Sequence, residues 1–361
     1  MIDSPFVELE REAGAVMVER CGVRLPDHFG DPLAEYRSVR EAAGLLDGSF
    51  EGLLEVRGGE RLRWLNGQIT QEVKALRSGE GKPAAALNAK GRVLAALDVY
   101  GLEASVWVAC QQDRLDSVRT AFDQHIIADD VQVEDAAGRW SRLILAGPTA
   151  AAILRRATGA EVSSLSAWQH REAQVIGVPV RVAASCRLSV PAFDVFVPRE
   201  AASDIWQALF TSEGLRPVGM AALELLRVEA GWPWFGVDFT EQNLLLEALT
   251  PEHVSFTKGC YIGQEVVTRV EHQGHLNKRV CGLALSGDTI PAPGTGVFAG
   301  DRPVGTVGSA VRSPALGRVI ALAMLRRECW EPGTALTVAI ASGSTLAEVV
   351  RLPFVAAESP A

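Results

Sequence analysis

The sequence predicts an α+β protein that ends in a small β-barrel. Strand-like and helix-like segments alternate up to about residue 274, and short β-like runs between Gly/Pro-rich turns follow residue 277. A chain of 361 residues is also too long for one ordinary hydrophobic core. We therefore expect two or three domains.

The first elements follow from hydrophobic periodicity and from the positions of glycine and proline. The pattern predicts two helices, a polar loop between them, a strand that leaves into a turn, and the start of a third helix. In chain order these are a helix over 7–20, a loop over 26–32, a helix over 36–46, a strand over 52–59 and a helix start over 60–66.

A β-hairpin is the clearest local feature of the next segment. Residues 84–88 and 93–100 form its strands, and Gly91 supplies the backbone angles that the turn over 89–92 needs. A strand over 105–110 and a helix over 114–125 follow. A similar arrangement recurs in strands that end near 148 and 197 and in helices over 150–157, 201–210 and 221–230. We infer two related α+β halves with a split near residue 140.

The last third of the chain has a different composition. Six short β-like runs alternate with turns there, over 280–285, 297–298, 304–307, 319–324, 335–340 and 347–352. We place the boundary at 274–278, which gives a first region over 1–274 and a barrel over 275–355. Residues 356–361 are expected to form a frayed tail.

Composition and charge narrow the class of protein. Hydrophobic residues make up 48% and charged residues 22%, as in folded globular proteins. The net charge of −9 argues against a general nucleic-acid binder, because phosphate contacts need a cationic face. No apolar run approaches the roughly 20 residues that span a bilayer, and no secretory signal is recognisable. We expect a cytoplasmic protein that binds small molecules, without nucleic-acid or membrane partners.

Cysteine and histidine spacing gives no metal site. The six cysteines contain no CxxC pair, so neither a zinc ribbon nor a disulfide framework is predicted, and free thiols are the simplest interpretation. His253, His272 and His275 have no cysteines or carboxylates that complete a ligand set. No metal is therefore predicted.

One octet, Lys258-Gly259-Cys260-Tyr261-Ile262-Gly263-Gln264-Glu265, combines a cysteine with flanking glycines and a lysine. The glycines allow a sharp turn that exposes the thiol, and Lys258 would lower the pKa of the Cys260 thiol by favouring its charged form. Glu265 and Arg269 are four residues apart, so they would pair on a helix. The alternative is that Cys260 is simply a buried small residue, as most free cysteines are.

The octet resembles the signature of the YgfZ group, which are folate-binding relatives of the glycine cleavage system T protein, an aminomethyltransferase. Four other stretches resemble the family in the same order along the chain: residues 64–73, 87–94 and 227–238, and the last third, which is similar to the T-protein barrel. The resemblance implies a cloverleaf of three domains around a central channel that holds tetrahydrofolate or a derivative.

The resemblance also implies site residues. Glu229 would accept the paired N–H donors of the pterin ring. Arg92, Lys258 and Arg269 would lie near the anionic glutamyl tail of folate. Trp234, with its neighbour Trp232, would stack on the pterin or simply pack. Gly259, Tyr261, Gly263, Gln264 and Glu265 complete the motif around Cys260.

The sequence departs from the transferase at one decisive place. T proteins carry an acidic pair after the glycine turn, and here that pair falls on Ala95 and Ala96. The nearest carboxylate, Asp98, lies two residues later, on the same strand face as Ala96 but roughly 6–7 Å along the strand. A proton donor must reach its target, so we expect aminomethyl transfer to be lost.

These residues favour a tetrahydrofolate-binding protein, without enzymatic activity or nearly so, that helps to assemble, repair or maintain iron–sulfur proteins. Cys260 would be its key thiol, and iron–sulfur client or assembly proteins its partners. The alternative is a folate-dependent aminomethyltransferase or methyltransferase. A second alternative is a thiol-dependent redox or interaction protein without folate.

Overall fold

The computed structural model describes residues 1–212, 214–272, 274, 276–341 and 343–356. The elements up to the first large sheet are β1 (Ile2–Asp3), α1 (Val7–Glu12), β2 (Val16–Arg20), β3 (Val23–His28), α2 (Pro32–Glu41), β4 (Gly44–Asp47), β5 (Glu51–Arg57), α3 (Arg61–Gln68), β6 (Gly81–Leu87), β7 (Val93–Gly101), β8 (Val106–Gln111), α4 (Gln112–Asp123) and β9 (Gln132–Asp135).

The elements of the second half of the first region are β10 (Trp140–Ala146), α5 (Ala150–Thr158), β11 (His170–Val175), β12 (Val178–Ser185), β13 (Ala192–Pro198), α6 (Ala202–Ser212), β14 (Arg216–Val218), α7 (Met220–Glu229), α8 (Leu245–Ala248) and α9 (Gln264–His272). The last strands are β15 (Lys278–Leu285), β16 (Gly296–Ala299), β17 (Arg302–Ser313), β18 (Arg318–Arg326), β19 (Ala335–Ile340) and β20 (Gly343–Val350).

Two large sheets make up most of the first region. One has the strand order β6-β7-β8-β5-β9, and the other has the order β11-β12-β13-β10-β4-β14. Helices α3 and α4 cover the first sheet, and α5 and α6 cover the second. The uncovered faces meet over an aromatic cluster in which Phe196 lies 5.5 Å from Tyr100 and 5.3 Å from Trp107 between ring centroids. The functional site described below lies beside this contact.

The barrel is closed, in the order β15-β18-β17-β16-β19-β20. Its interior is apolar, and Val228 on α7 packs against Ile320 and Leu322 on its outer face. The predicted α+β fold with a C-terminal barrel is confirmed. The boundaries near residues 140 and 274 stay a prediction. The predicted tail over 356–361 lies outside the described residues except for residue 356.

Two predicted helices are wrong in part. The helix over 7–20 ends at Glu12, because Gly14 takes a left-handed φ of +88° and residues 16–20 pair with β3. Cys21 and Gly22 form the hairpin turn with φ of +50° and +78°, a combination that strands joined by two residues favour. The predicted loop over 26–32 accordingly begins inside β3.

The helix predicted over 36–46 lies earlier in the chain. Asp31 caps it, since the carboxylate accepts from the Leu33 amide at 2.9 Å, and Pro32 occupies the first helical position. Residues 44–47 form β4 instead, between β10 and β14. Long-range pairing with two strands thus outweighs the helical periodicity of this segment.

Candidate functional site

The signature octet is docked against the first sheet by a buried lysine. The Lys258 ammonium donates to the carbonyl oxygens of Asn66, Ile69 and Gln71 at 2.6, 2.8 and 2.7 Å. Burial lowers the pKa of Lys258 to about 8. The Tyr261 ring lies beneath the ammonium, 5.0 Å from nitrogen to centroid. Lys258 therefore fixes the octet to the end of α3.

Close backbone packing explains one of the octet's glycines. Gly263 has a φ of +79°, and a side chain there would lie 2.7 Å from the Asn88 carbonyl oxygen and 3.1 Å from Gly91 Cα. Gly91 itself has a φ of +69°, as the predicted hairpin turn requires. A side chain at Gly259 would meet nothing within 4 Å. The octet thus rests on the β6–β7 hairpin through Gly263.

The docked octet presents the thiol. Cys260 is exposed, so it is not a buried packing residue. All three hydrogen bonds of the neighbouring lysine go to carbonyl groups, which gives Lys258 a structural role. Activation of the thiol by Lys258 stays a prediction.

The rest of the octet begins a helix. α9 starts at Gln264, and Glu265 pairs with Arg269 at 2.6 Å between oxygen and nitrogen, as the spacing predicts. Both side chains are largely exposed. Arg269 does not line the cavity described next.

A central cavity lies between the two sheets, in two recesses that share Arg187, Trp232 and Trp234. Phe50 and Arg227 line one recess, and Asp98 and His253 are among the residues lining the other. The recesses enclose about 20 and 30 Å³. A ring system is larger than these volumes, so it can enter only if side chains of the wall move; of the three shared residues, Trp232 is the partly exposed one.

Asp98 is one of two carboxylates on this cavity wall, beside Glu51. One oxygen accepts from the Trp168 indole nitrogen at 2.8 Å, and the other lies 3.3 Å from an Arg187 guanidinium nitrogen. Burial, offset in part by Arg187, raises the pKa of Asp98 to about 6. A carboxylate has about four lone-pair sites, so sites remain for donors from a ligand.

A buried charge network lies behind Asp98. Arg187 donates to Glu51 and, at 3.0 Å, to Asp194, while Arg142 pairs with the same two carboxylates, at 2.6 Å for Asp194. Burial raises the pKa of Asp194 to about 7. Two guanidinium groups thus face three carboxylates: Glu51 and Asp194 contact both of them, and Asp98 contacts Arg187.

The alanines lie where the alternation of the strand predicts. Ala95 packs in the core between the first sheet and its helices, whereas Ala96 lines the central cavity together with Asp98. Ala96 and Asp98 therefore share one face of β7. The wall has a methyl group at the first of these two positions and a carboxylate at the second.

Two predicted folate contacts are placed elsewhere. Glu229 is fully buried, and its carboxylate accepts from the hydroxyl groups of Tyr36 at 2.9 Å, Ser313 at 2.5 Å and Ser189 at 3.3 Å. It does not line the central cavity, so it does not fit the predicted pterin role. Arg92 donates to the Gln242 carbonyl and ties the hairpin to the following loop.

The histidines do not change the metal prediction. His253 is buried on the cavity wall, and burial lowers its pKa to about 4. The side chains of His272 and His275 lie outside the described residues. Among the residues that the structure describes, no group of three His, Cys, Asp or Glu side chains could hold a metal ion.

Sequence reasoning missed Arg187, Glu51 and Asp194, and it treated Asp98 only as a displaced acid. One signal was available: Asp194 interrupts an otherwise apolar strand, Ala192–Pro198, which marks a buried charge that needs a partner. No local sequence pattern around Arg187 or Glu51 indicates that these two residues form an ion pair. Trp234 was predicted, and it does line the cavity.

Comparison with known sequences bears on the whole chain. The profile of the GCVT N-terminal domain matches residues 6–258, and that of the glycine cleavage T-protein C-terminal barrel domain matches residues 278–356. The chain belongs to the glycine cleavage T-protein family. Together the two matches span nearly all of the described chain.

Curated relatives are aminomethyltransferases. The chain is 32% identical to the aminomethyltransferase of Streptomyces coelicolor, over 95% of each protein. It is 29% identical to the aminomethyltransferase of Bacillus subtilis, over 97% of this chain and 98% of the relative. These names match the aminomethyltransferase alternative better than the iron–sulfur interpretation. They do not extend to the YgfZ assignment, which is finer than the family.

A solved structure agrees on the fold. The crystal structure of the glycine cleavage system aminomethyltransferase T from Bartonella henselae superposes with a TM-score of 0.91, covers 98% of each chain and is 23% identical in sequence. The predicted T-protein architecture is therefore confirmed. No described helix is long and apolar enough to cross a membrane.

Proposed function

We propose that this chain binds tetrahydrofolate or a derivative in the central cavity and assists the assembly, repair or maintenance of iron–sulfur proteins. The Cys260 thiol is its reactive group in this proposal. The observation that carries folate binding is the Asp98 carboxylate beside two indole rings, Trp232 and Trp234, on one cavity wall. A flat ring with side-by-side N–H donors, such as the pterin of folate, matches both features.

Each cavity residue has a task in this proposal. Asp98 accepts hydrogen bonds from the donor edge of the pterin. Arg187 holds Asp98 by charge at 3.3 Å, and the Trp168 indole fixes its other oxygen at 2.8 Å. Trp232 and Trp234 cover the ring faces. Asp98 thereby takes the role that the sequence had given to Glu229, whose carboxylate is already bound by three hydroxyl groups.

The chemistry is divided between two candidates. The exposed thiol of Cys260 and the methyl group of Ala96 on the cavity wall favour a folate-binding protein whose function depends on its thiol. Tetrahydrofolate would supply a one-carbon acceptor or a structural ligand, and Cys260 would act on a cluster, a persulfide or a client thiol. The YgfZ assignment belongs to this candidate.

The second candidate is aminomethyl transfer to tetrahydrofolate. The curated relatives favour it, because proteins of that name align over at least 95% of the chain. The observation against it is that Ala96 has no acidic side chain. If transfer occurs, Asp98 must act as the acid from a position two residues farther along β7. Both candidates require folate in the same cavity.

Isothermal titration calorimetry with tetrahydrofolate tests the common part. We expect binding to the wild-type protein and a roughly 10- to 100-fold loss in Asp98→Asn, because an amide replaces a charged acceptor that binds two donors. Asp301→Asn, at an exposed turn of the barrel, is the control and should bind like the wild type. Absence of binding to the wild type would refute both candidates.

A glycine cleavage assay with purified partner proteins separates the candidates. We expect turnover near background, since the acid at Ala96 is missing. Robust turnover would establish the transferase and reject the thiol-dependent proposal.

Complementation in a strain that lacks the native gene tests the thiol. The readout is the activity of a cluster-containing enzyme. Cys260→Ala is expected to fail, whereas Cys186→Ala, at the other exposed cysteine of the described chain, should rescue the strain. Full rescue by Cys260→Ala would show that the function does not require the thiol.

A further inference from the structure

Trp168 connects the second sheet to the Asp98 carboxylate. It lies in the segment between α5 and β11, at the edge of the second sheet, whereas Asp98 lies on β7 of the first sheet. The indole N–H of Trp168 donates to one Asp98 oxygen at 2.8 Å, and 70 positions separate the two residues along the chain. The contact therefore depends on how the two sheets pack.

The backbone of Trp168 has an unusual conformation. Its φ is +62°, in the left-handed region that bulky side chains rarely adopt. Residues in such conformations persist only where surrounding contacts fix them, and they cluster at sites where the position of a side chain matters. The conformation of Trp168 directs attention to what holds it and to what its indole does.

Backbone contacts with both sheets hold this residue in place. The Trp168 amide donates to the Ala184 carbonyl oxygen on β12 at 2.8 Å, and the His170 amide donates to the Gly79 carbonyl oxygen at 3.0 Å, just before β6. A side chain at Gly81 on β6 would lie 2.3 Å from the Trp168 carbonyl oxygen, so this close approach requires glycine. Residues 168–170 thus form a clasp between the two sheets.

The indole ring is held by packing, which leaves its nitrogen for Asp98. The ring is half-buried against the aromatic cluster of Tyr100, Trp107 and Phe196 that joins the two sheets. A hydrogen bond to a carboxylate favours its charged form. Burial is the chief reason that the pKa of Asp98 is raised to about 6, and the Trp168 hydrogen bond opposes that rise.

Other ionisable groups near Asp98 set the background for this hydrogen bond. Asp194, whose pKa burial raises to about 7, contacts Arg142 and Arg187. Burial lowers the pKa of His253 on the cavity wall to about 4, so its ring is neutral above roughly pH 5. The remaining groups are Glu51, which pairs with both arginines, and three groups whose pKa values are raised chiefly by desolvation: Tyr100, Cys110 and Cys186.

We propose that Trp168 is a positioning residue of the folate site: its indole N–H keeps Asp98 ionised and holds one of its oxygens, so that the remaining lone pairs serve the ligand. This inference rests on the proposed folate function. It adds that the second sheet, through the clasp, sets the pH range in which the site binds.

The first test measures the pKa of Asp98 in the absence of folate. Carbon-13 NMR of protein labelled at the aspartate Cγ atoms follows the titration, and the signal that is missing in Asp98→Asn identifies the residue. Trp168→Phe keeps an aromatic ring but removes the donor, so it should raise the pKa of Asp98 by about one unit. Trp168→Gln removes the ring but places an amide N–H as many bonds from Cβ as the indole nitrogen, so it should leave that pKa nearly unchanged.

The second test measures tetrahydrofolate affinity by calorimetry between about pH 5 and pH 8.5. The dissociation constant of Trp168→Phe should exceed that of the wild type about tenfold at pH 5 and by less than about twofold at pH 8.5, because a higher pKa matters only where Asp98 becomes protonated. The titration of the ligand itself is common to all proteins and cancels in this ratio. Trp140→Phe, at another indole of the same aromatic cluster, is the matched control and should give a ratio near one throughout.

The outcomes distinguish this inference from the folate function. Absence of tetrahydrofolate binding to the wild type refutes the folate function, and the positioning role with it. Normal wild-type binding overturns only this inference if the Asp98 titration is unshifted in Trp168→Phe, or if that variant binds more weakly by the same factor at every pH. A shifted titration in Trp168→Gln with an unchanged one in Trp168→Phe would show that Trp168 acts by packing alone, and would also overturn it.

Discussion

Replacement of Lys258 by methionine tests whether this lysine anchors the octet or activates the thiol. The Lys258 ammonium donates to three carbonyl oxygens at 2.6–2.8 Å in a buried position. Methionine keeps the length of the stem and removes the donors. Hydrogen bonds from a charged group contribute roughly 1.5–3 kcal/mol each, but removal of the ammonium also relieves its desolvation. We expect the free energy of unfolding to fall by about 3–5 kcal/mol.

Urea unfolding of the wild type and the variant measures this loss. Lys90→Met, at an exposed residue of the hairpin turn, is the control and should change the free energy by less than about 0.5 kcal/mol. In parallel, the alkylation rate of Cys260, followed on its own peptide by mass spectrometry across about pH 6 to 10, gives the pKa of the thiol.

The reasoning fails if the stability stays within about 1 kcal/mol of the wild type while the pKa of the Cys260 thiol rises by about one unit. That pair of results would assign Lys258 to thiol activation. A large loss of stability with an unchanged thiol pKa would establish the anchoring role.

Three further predictions follow from single contacts. Folate affinity should fall by about tenfold per pH unit below about pH 6, because protonation of Asp98 removes the charged acceptor. Burial is the chief reason that the pKa of Asp98 is raised to about 6. Calorimetry at several pH values checks this prediction, and an affinity that does not change with pH would contradict it. Glu229→Ala should destabilise the protein by about 3 kcal/mol in urea unfolding, since Tyr36 and two serines lose their buried acceptor, and wild-type stability would reject that role. Gly263→Ala should lower the free energy of unfolding by about 1–3 kcal/mol and the melting temperature with it, because the φ of Gly263 is +79° and the new side chain would lie 2.7 Å from the Asn88 carbonyl oxygen. Gly259→Ala, with open space around it, is the control. Equal melting temperatures of the two variants would disprove the contact.

The sequence alone was sufficient where local patterns fix the structure. The Gly91 hairpin, the six barrel strands and the Glu265–Arg269 pair all follow from turn residues or from a fixed periodicity, and the structure contains each of them. The same alternation correctly placed Ala96 and Asp98 on one strand face. The octet also carried enough information to predict an exposed thiol.

Local patterns failed where strand pairing competes with a helix. Residues 16–20 and 44–47 have apolar side chains at spacings that suit a helix, yet both segments pair in sheets. Residues 44–47 gain partners on both sides, from strands that lie far away in the sequence, whereas residues 16–20 pair on one side with the adjacent strand β3 across a two-residue turn.

Only the tertiary structure assigned the charged groups their partners. Glu51, Asp98, Arg187 and Asp194 come from separate segments and form one buried network, whereas Glu229 is enclosed by hydroxyl groups from Tyr36, Ser189 and Ser313. The sequence identified the family resemblance and the residue types that bind a pterin. Which carboxylate faces the cavity depends on how two sheets pack, and no local spacing encodes that, because the interacting residues are up to 193 positions apart.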